Sequence, residues 1–195
     1  IIHKKNLISK ESINKLAKKA GIKSISSLIP EEIIGITRVM LEQVLKVCIL
    51  VVESGDRKTI TLEDIKYALE NLGHKLYDYD DVVKKCKPFN KGKIKKNRYL
   101  REIRFYQNQD DCVYIPKATF KNLVKFVMDD HFNSKLKFNT IAVEQLQVAI
   151  EDLLVLLLQN SYVIAIHAQR TTLHPKDIAT ARFIMKSCDS IFDSE

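Results

Sequence analysis

Two eleven-residue stretches of the chain are nearly alike, although more than half its length separates them. One reads GDRKTITLEDI and covers residues 55–65; the other reads AQRTTLHPKDI and covers residues 168–178. An arginine, a threonine, an aspartate and an isoleucine occupy the same places in both. Internal similarity of this kind indicates a structural unit that occurs twice. It constrains the fold more than any other feature of the sequence.

Apolar residues in the first half of the chain recur at helical spacing in three stretches, short, long and short. The short stretches cover about 10–20 and Thr61 to Leu72, and the long one runs from Pro30 to about Ser54. Proline suits the first position of a helix, and threonine suits the cap that precedes one. We therefore predict three helices of these lengths, separated by two loops.

The second half repeats this order and adds one helix in front. Helical spacing predicts a short helix over about 119–130, a long one over about 140–168 and a short one that begins at Pro175. The additional leading helix covers about 98–109. The prediction is an all-α fold in which the short, long and short helices occur twice in tandem.

A long helix that is apolar on more than one side needs more cover than two short neighbours provide. We expect the two units to clasp each other, with the long helices crossed head to tail and the first loop of each unit beside the second loop of the other. The predicted domains are residues 1–77, a basic linker over 78–97, and residues 98–195. A generic helical repeat or bundle is the alternative, although helices so unequal in length are unusual in solenoids.

Positive charge is concentrated in the linker. The whole chain has a net charge of +8, and the run KKCKPFNKGKIKKNR supplies much of it. Such a run fits a polyanionic partner, nucleic acid first and an acidic membrane second, or a solvated tether with no partner. If the partner is DNA, four lysines of the run are expected to lie against it: Lys91, Lys93, Lys95 and Lys96.

The sequence lacks the marks of an enzyme, a metal centre or a membrane protein. Its five histidines have no metal-ligand spacing, no nucleophile accompanies the repeat, and charged and amide residues interrupt the longest apolar stretch. Four scattered cysteines fit a reducing compartment and predict neither a disulfide framework nor a zinc site. We predict no catalysis, no cofactor and no metal. The chain begins Ile1-Ile2-His3 without a signal peptide, and we expect a trimmed tail before it.

Both units resemble the histone fold. Residues 8–77, with the phrase RKTITLEDIKYAL, resemble histone four, and residues 99–185, with AIHAQRTTLHPKDI, resemble histone three. One chain with these halves in this order is similar to the fused histone doublets of large DNA viruses of the Marseillevirus kind. The resemblance implies a structural protein that packages DNA in the virion and the viral factory or host nucleus, or in the nuclear chromosome if the source is not viral. A histone-fold regulator of transcription or of the kinetochore is the alternative.

The resemblance also implies which residues bind DNA. Histones hold phosphates with loop amides, helix N-termini and basic side chains, and they do not read the base sequence. Three surfaces and the leading helix are implied to take part. Their residues are Lys137 with Arg57, Lys58 and Thr59 on the first surface; Lys23 and Ser24 with Arg170, Thr171 and Thr172 on the second; Lys15, Lys18, Lys19, Lys117 and Lys121 on the middle one; and Arg101 and Arg104 on the leading helix.

Three positions on or beside these surfaces differ from the histones. Ser24 and Lys137 stand where histones four and three insert an arginine into the minor groove, and Asp56 replaces a basic residue beside Arg57. Lysine is a strongly hydrated point charge and fits a narrow groove less well than a guanidinium does. We therefore expect weaker wrapping of DNA, above all at its ends, than in a cellular nucleosome.

Two contacts with other protein chains are implied as well. The first pairs two copies of the chain through their second halves, and its residues are His167, Arg170 and Asp177. The second faces another histone pair or doublet that resembles the histone two pair, and its residues are Val51, Tyr67 and Tyr77. Without the resemblance, a helical histidine or aromatic residue is assigned to packing. Each loop arginine is then assigned to a structural ion pair with the aspartate seven residues later.

Overall fold

The computed structural model describes residues 8–74, 84–89, 97–109, 112–132 and 136–186. In this part of the chain it has seven α-helices: α1 Lys10–Lys19, α2 Ile29–Ser54, α3 Leu62–Asn71, α4 Arg98–Gln107, α5 Lys117–Val127, α6 Thr140–His167 and α7 Pro175–Lys186. A π-helical turn, Met128–Phe132, continues α5. Each helix predicted from the sequence is present, with ends about three residues or fewer from the predicted ones.

The helix ends follow from local chemistry. Ser9 caps α1, since its hydroxyl accepts a hydrogen bond from the N–H of Ser12 at 3.2 Å. Pro30 lies in the first turn of α2, where a backbone N–H has no partner within the helix and its loss costs nothing. Asn139 caps α6 by accepting the N–H of Ile141 at 3.2 Å.

Within the described segments, six strands of two residues each join the loops in parallel pairs, and helical periodicity does not predict them. The strands are β1 Ser24–Ile25, β2 Thr59–Ile60, β3 Lys84–Lys85, β4 Cys112–Val113, β5 Lys137–Phe138 and β6 Thr172–Leu173. β1 pairs with β6, β2 with β5, and β3 with β4. The first two pairs place the first loop of each half beside the second loop of the other half. The third pair attaches a segment of the linker to the residues that precede α5.

One hydrophobic core is shared by the two halves. α2 and α6 pack against each other, α3 packs on both of them, and α7 packs on α6. Leu41 and Val44 of α2 are completely buried there, as are Leu154 and Leu158 of α6. Because α1 packs on α6 and α5 packs on α2, each half covers the long helix of the other. Burial of this apolar surface is what holds the halves together.

A buried carboxylate ties the start of α5 to α6. Glu151 accepts the N–H of Tyr114 at 2.7 Å and that of Ile115 at 3.0 Å, and the side-chain amide of Gln147 donates to it at 2.8 Å. These hydrogen bonds favour the charged carboxylate. Burial acts more strongly in the opposite sense and raises the pKa of Glu151 to about 7.

Candidate nucleic-acid interface

Two corners of the molecule are built from the paired loops, and each combines residues of both halves. The Arg57 corner is made of Arg57, Lys58, Thr59 and Lys137. The Arg170 corner is made of Ser24, Arg170, Thr171 and Thr172. The structure therefore brings together the residues that the sequence assigns to the first surface, and likewise those assigned to the second with the exception of Lys23.

In the Arg57 corner, Thr59 lies opposite Lys137 in the β2–β5 pair. The N–H of Lys137 donates to the carbonyl of Lys58 at 2.9 Å. Asp56 precedes the corner in a left-handed conformation, with φ of 50°, which turns the chain out of α2. Lys58 and Lys137 are exposed, and neither forms an ion pair with a residue that the structure describes. Both charges are therefore available to a phosphate.

The Arg170 corner presents hydroxyl groups instead of lysines. Ser24 lies opposite Thr172 in the β1–β6 pair, and their hydroxyl oxygens are 2.9 Å apart in a hydrogen bond. Lys23 is turned away from the corner toward α4, where its Nζ lies 4.7 Å from the centroid of the Tyr99 ring. A lysine over an aromatic face is held there by the ring quadrupole. This corner is consequently less basic than the first.

Each corner contains the same ion pair. Arg57 donates to both carboxylate oxygens of Asp64, at 2.7 and 3.1 Å. Arg170 donates to both carboxylate oxygens of Asp177 at the same two distances. Each aspartate also accepts the backbone N–H three positions before it, at 2.8 and 2.9 Å. The carboxylate therefore caps the following helix and anchors the loop arginine at once.

The two aspartates are held in their charged form. Burial opposes the charge of Asp64, but hydrogen bonds from Arg57 and from Thr61 lower the pKa of the carboxyl below its ordinary value. The hydrogen bond from Arg170 is the main cause that lowers the pKa of Asp177. The Arg57 side chain is still 43% exposed, against 27% for Arg170. Arg57 thus keeps more surface for a second anionic partner.

The α1 lysines of the middle surface already have partners within the protein. Lys15 forms an ion pair with Glu11 at 3.0 Å, and Lys19 lies 4.0 Å from a carboxylate of α6. Lys18 donates to the carbonyl of Lys23 at 2.7 Å, just beyond the end of α1. Burial lowers the pKa of Lys18. Exposed ion pairs are weak and exchange readily for phosphate, whereas Lys18 is built into the end of its helix.

The α5 lysines of the middle surface border a shallow cleft between α5, β5 and the start of α6. Lys117 forms an ion pair with Glu144 at 2.8 Å. Lys121 is exposed and forms no ion pair with any described residue. On the middle surface, Lys121 is therefore the lysine most available to a phosphate. The half-buried Lys15, Lys19 and Lys117 would first have to give up their ion-pair partners.

The leading helix α4 carries the two arginines predicted for it on its solvent side. Arg101 and Arg104 are exposed, and residues three apart on a helix share a face. α4 packs on α1. This packing extends the basic surface of the first half beyond Lys23.

The residues predicted for self-pairing lie at the end of α6 and the start of α7. His167 is exposed as the last residue of α6. Asp177 is 2% exposed and is occupied by its ion pair with Arg170. Of these three side chains, that of His167 is the most exposed to another chain.

Four exposed apolar residues lie on the same two helices, α6 and α7, and the sequence patterns did not single them out. Val163 and Ile166 on α6 are 65% and 55% exposed, and Phe183 and Ile184 on α7 are 79% and 57% exposed. An apolar patch of this kind on a protein surface marks a site of protein contact. The apolar residues on more than one side of the long helix are the signal in the sequence that could have indicated it.

The residues predicted to face a second histone pair lie on α2 and α3. Tyr67 is 51% exposed and Val51 is half-buried. Leu50, a residue not predicted for this surface, precedes Val51 and is 61% exposed. Tyr77 lies outside the described residues, as do the four linker lysines from Lys91 to Lys96 predicted to contact DNA.

Within the described ranges, no group of three or more histidine, cysteine, aspartate or glutamate side chains is placed to hold a metal ion. Over the same ranges, none of the helices has both the length and the apolar composition required to cross a membrane.

Residues 95–184 match the family model of the core histone domain, the domain shared by histones two A, two B, three and four. The match includes α4, α5 and α6 and all but the end of α7. The second half of the chain therefore contains a histone-fold domain, with the DNA binding, dimerisation through the fold and chromatin-associated location that this fold implies. The core histone family is made of non-enzymatic structural DNA-binding proteins, which confirms the prediction that the chain is not an enzyme.

Proposed function

We propose that the whole chain is a fused pair of histone folds that packages duplex DNA into nucleosome-like particles without reading its sequence. The observation that carries this proposal is the pair of corners. Each one joins the first loop of one half to the second loop of the other, and each is pinned by the same arginine–aspartate pair. Two histone folds that clasp each other produce this arrangement.

The first half supports the proposal although the family match begins after it. Its helices have the same order of lengths as α5, α6 and α7, with 10, 26 and 10 residues against 11, 28 and 12. Its third helix is capped by an aspartate that also binds the loop arginine, as in the second half. We assign residues 1–77 and 98–195 to the two folds and 78–97 to the linker.

The spacing of the corners suits a curved duplex. They lie at opposite ends of α2, whose 26 residues span about 39 Å at ~1.5 Å per residue. A duplex that passes both corners has room for a third contact between them, where α1 and α5 supply lysines. Backbone amides, hydroxyls and lysines bind phosphates of any sequence, so the expected binding is general and strongly dependent on salt.

Two further contacts would complete a particle. Two copies pair through the exposed apolar residues around His167, and a second doublet that resembles the histone two pair binds beside Leu50 and Tyr67. The order of the two halves favours a viral doublet of the Marseillevirus kind, located in the virion and the viral factory or host nucleus.

A regulator of transcription or of the kinetochore is the second candidate function, because such proteins can keep the fold without packaging DNA. Nuclease digestion of complexes reconstituted on mixed-sequence DNA distinguishes the two. Packaging yields protected fragments of one regular length from many sequences. A regulator protects one specific sequence or no regular length, and that result would reject the packaging function.

A further inference from the structure

Two cysteines meet where the linker joins the second half. Cys86 follows β3, and Cys112 begins β4. Lys84 lies opposite Cys112 and Lys85 opposite Val113, and the N–H of Cys86 donates to the carbonyl of Val113 at 3.2 Å. Side chains two positions apart on a strand point to the same side. The two cysteines therefore share one side of the strand pair, in diagonal positions.

The surroundings of these cysteines hold the two segments together. The amide oxygen of Gln109 accepts the N–H of Lys87 at 2.9 Å and lies 3.6 Å from the sulfur of Cys112. The amide nitrogen of Gln109 donates to the carbonyl of Lys87 at 3.3 Å. Burial, and then contact with the thiol of Cys112, raise the pKa of Cys86 to about 12. Both thiols are half-buried and reduced.

We propose that Cys86 and Cys112 form a reversible disulfide that locks the linker onto the second half when the surroundings become oxidising. β3 and β4 are parallel. With strands ~4.8 Å apart and a rise of ~3.3 Å per residue, diagonal neighbours lie about 8 Å apart at Cα, more than the ~4.4–6.8 Å that a disulfide spans. β3 is two residues long, and among the described strands it pairs with β4 alone. A shift of its backbone by ~1–2 Å brings the two cysteines within the span of a disulfide. This bond forms reversibly in the chain that has already folded. It is therefore different from a structural disulfide framework, which the scattered cysteines do not predict.

The oxidant is a small-molecule disulfide such as oxidised glutathione. Because Cys86 seldom loses its proton, the Cys112 thiolate attacks first, displaces one glutathione thiolate and forms a mixed disulfide. Cys86 then passes its proton to the glutathione thiolate released in the first step, and its sulfur attacks the Cys112 sulfur and displaces the second glutathione. Two electrons pass from the cysteine sulfurs to the glutathione disulfide, and the two protons end on the two glutathione thiols.

The test uses the full chain with Cys188, which lies outside the described residues, replaced by serine. After incubation with oxidised glutathione, we expect mass spectrometry to show the loss of two hydrogens and one peptide cross-linked between Cys86 and Cys112. Closing this loop restricts the unfolded chain, so the melting temperature should rise by ~5–10 °C and return when a dithiol is added.

Three variants make the test specific. Cys86→Ser should stop at the mixed disulfide on Cys112, whereas Cys112→Ser should leave Cys86 unmodified. Cys48→Ser removes a completely buried thiol and should leave the cross-link intact. The proposal is overturned if both thiols stay free, if each carries glutathione without a cross-link, or if the cross-link joins two chains.

Discussion

Arg57 holds Asp64 with two hydrogen bonds, of 2.7 and 3.1 Å, across seven residues of chain. The carboxylate of Asp64 also accepts the N–H and the hydroxyl of Thr61, both at 2.8 Å. One buried carboxylate therefore fixes the end of a loop, the start of a helix and the direction of an arginine. Arg170 and Asp177 form the same ion pair, so both corners have the same rigid support.

The first prediction concerns the acid stability that this ion pair supplies. The folded state holds the pKa of Asp64 and of Asp177 below the ordinary value of 3.8. The contribution of the two aspartates to the free energy of unfolding is therefore fully present above pH ~4. It is lost as the pH falls through their pKa in the folded state. Asp64→Asn and Asp177→Asn should each lower the free energy of unfolding at pH 7 by about 1–2 kcal/mol, through the lost cap and charge-assisted bond.

Denaturant unfolding at pH 7 and at pH 3 measures this effect. The difference between each variant and the parent chain should be smaller at pH 3 than at pH 7. Asp56→Asn is the matched control, because Asp56 lies beside the Arg57 corner, is exposed, and has a left-handed backbone that asparagine also adopts. Equal losses in the control and in Asp64→Asn would show that the ion pair contributes nothing.

The second prediction is that Lys58 and Lys137 bind phosphate. Each neutralised phosphate contributes about 0.9 to the slope of log K against log salt. The double variant Lys58→Gln and Lys137→Gln should therefore reduce that slope by about 2 on duplexes of any sequence, as measured by fluorescence anisotropy. Lys46→Gln alters an exposed lysine in the interior of α2 and should leave the slope unchanged. An unchanged slope in the double variant would remove the Arg57 corner from the DNA interface.

Helix positions could be predicted from the sequence because their signals are local. Helical spacing, Pro30 near the start of α2 and the cap Thr61 before α3 act over one or two turns, and the structure follows them. The opposition of the loops could also be predicted, since the long apolar helices needed cover and the repeat supplied a partner. The strands could not, because pairs of two residues have no periodicity.

The roles of individual side chains depend on tertiary contacts that the sequence does not encode locally. Lys18 and Lys19 look equivalent on α1, yet Lys18 binds the carbonyl of Lys23 and Lys19 approaches α6. The contact of Cys86 with Cys112 requires the linker to pair with β4. Scattered cysteines therefore gave no signal of a thiol pair.

The third prediction addresses the corner at which the sequence departs from the histones. Ser24 is exposed and carries no charge, so the Arg170 corner should release DNA before the Arg57 corner does. Ser24→Arg should raise the salt concentration of half-release and increase the salt slope by about 1, because one more phosphate is neutralised.

Ser24→Ala is the matched control for this change, since it removes the hydroxyl bond to Thr172 without adding charge. Salt-induced release can be followed with a fluorophore at the DNA ends, beside a cellular octamer on the same duplex. Release of DNA from the parent particle at an equal or higher salt concentration than from the octamer would contradict the expected weaker wrapping.

The fourth prediction follows from the buried Glu151. Its folded pKa of about 7 lies above the ordinary value of 4.5, so the folded chain binds more protons than the unfolded chain between these values. The free energy of unfolding should then fall as the pH rises from about 4.5 to 7, by at most about 3 kcal/mol for this group.

Glu151→Gln should flatten the pH dependence of the unfolding free energy over this window. Glu53→Gln, at an exposed position, should leave this pH dependence in place. A dependence that persists in Glu151→Gln would assign it to other groups.

The last prediction is that two copies associate through the apolar surface around His167. Asp177 is a poor site for the test because its ion pair supports the loop, and its loss would confuse unfolding with dissociation. Phe183 is 79% exposed, so Phe183→Glu should leave the fold intact and place a charge in the contact. Combined with His167→Ala, it should yield single chains in sedimentation experiments under conditions in which the parent chain forms pairs.

Tyr67→Glu, on the surface proposed for the second doublet, is the matched control and should leave these pairs intact. Pairs that persist in the Phe183 and His167 double variant would place self-association on another face.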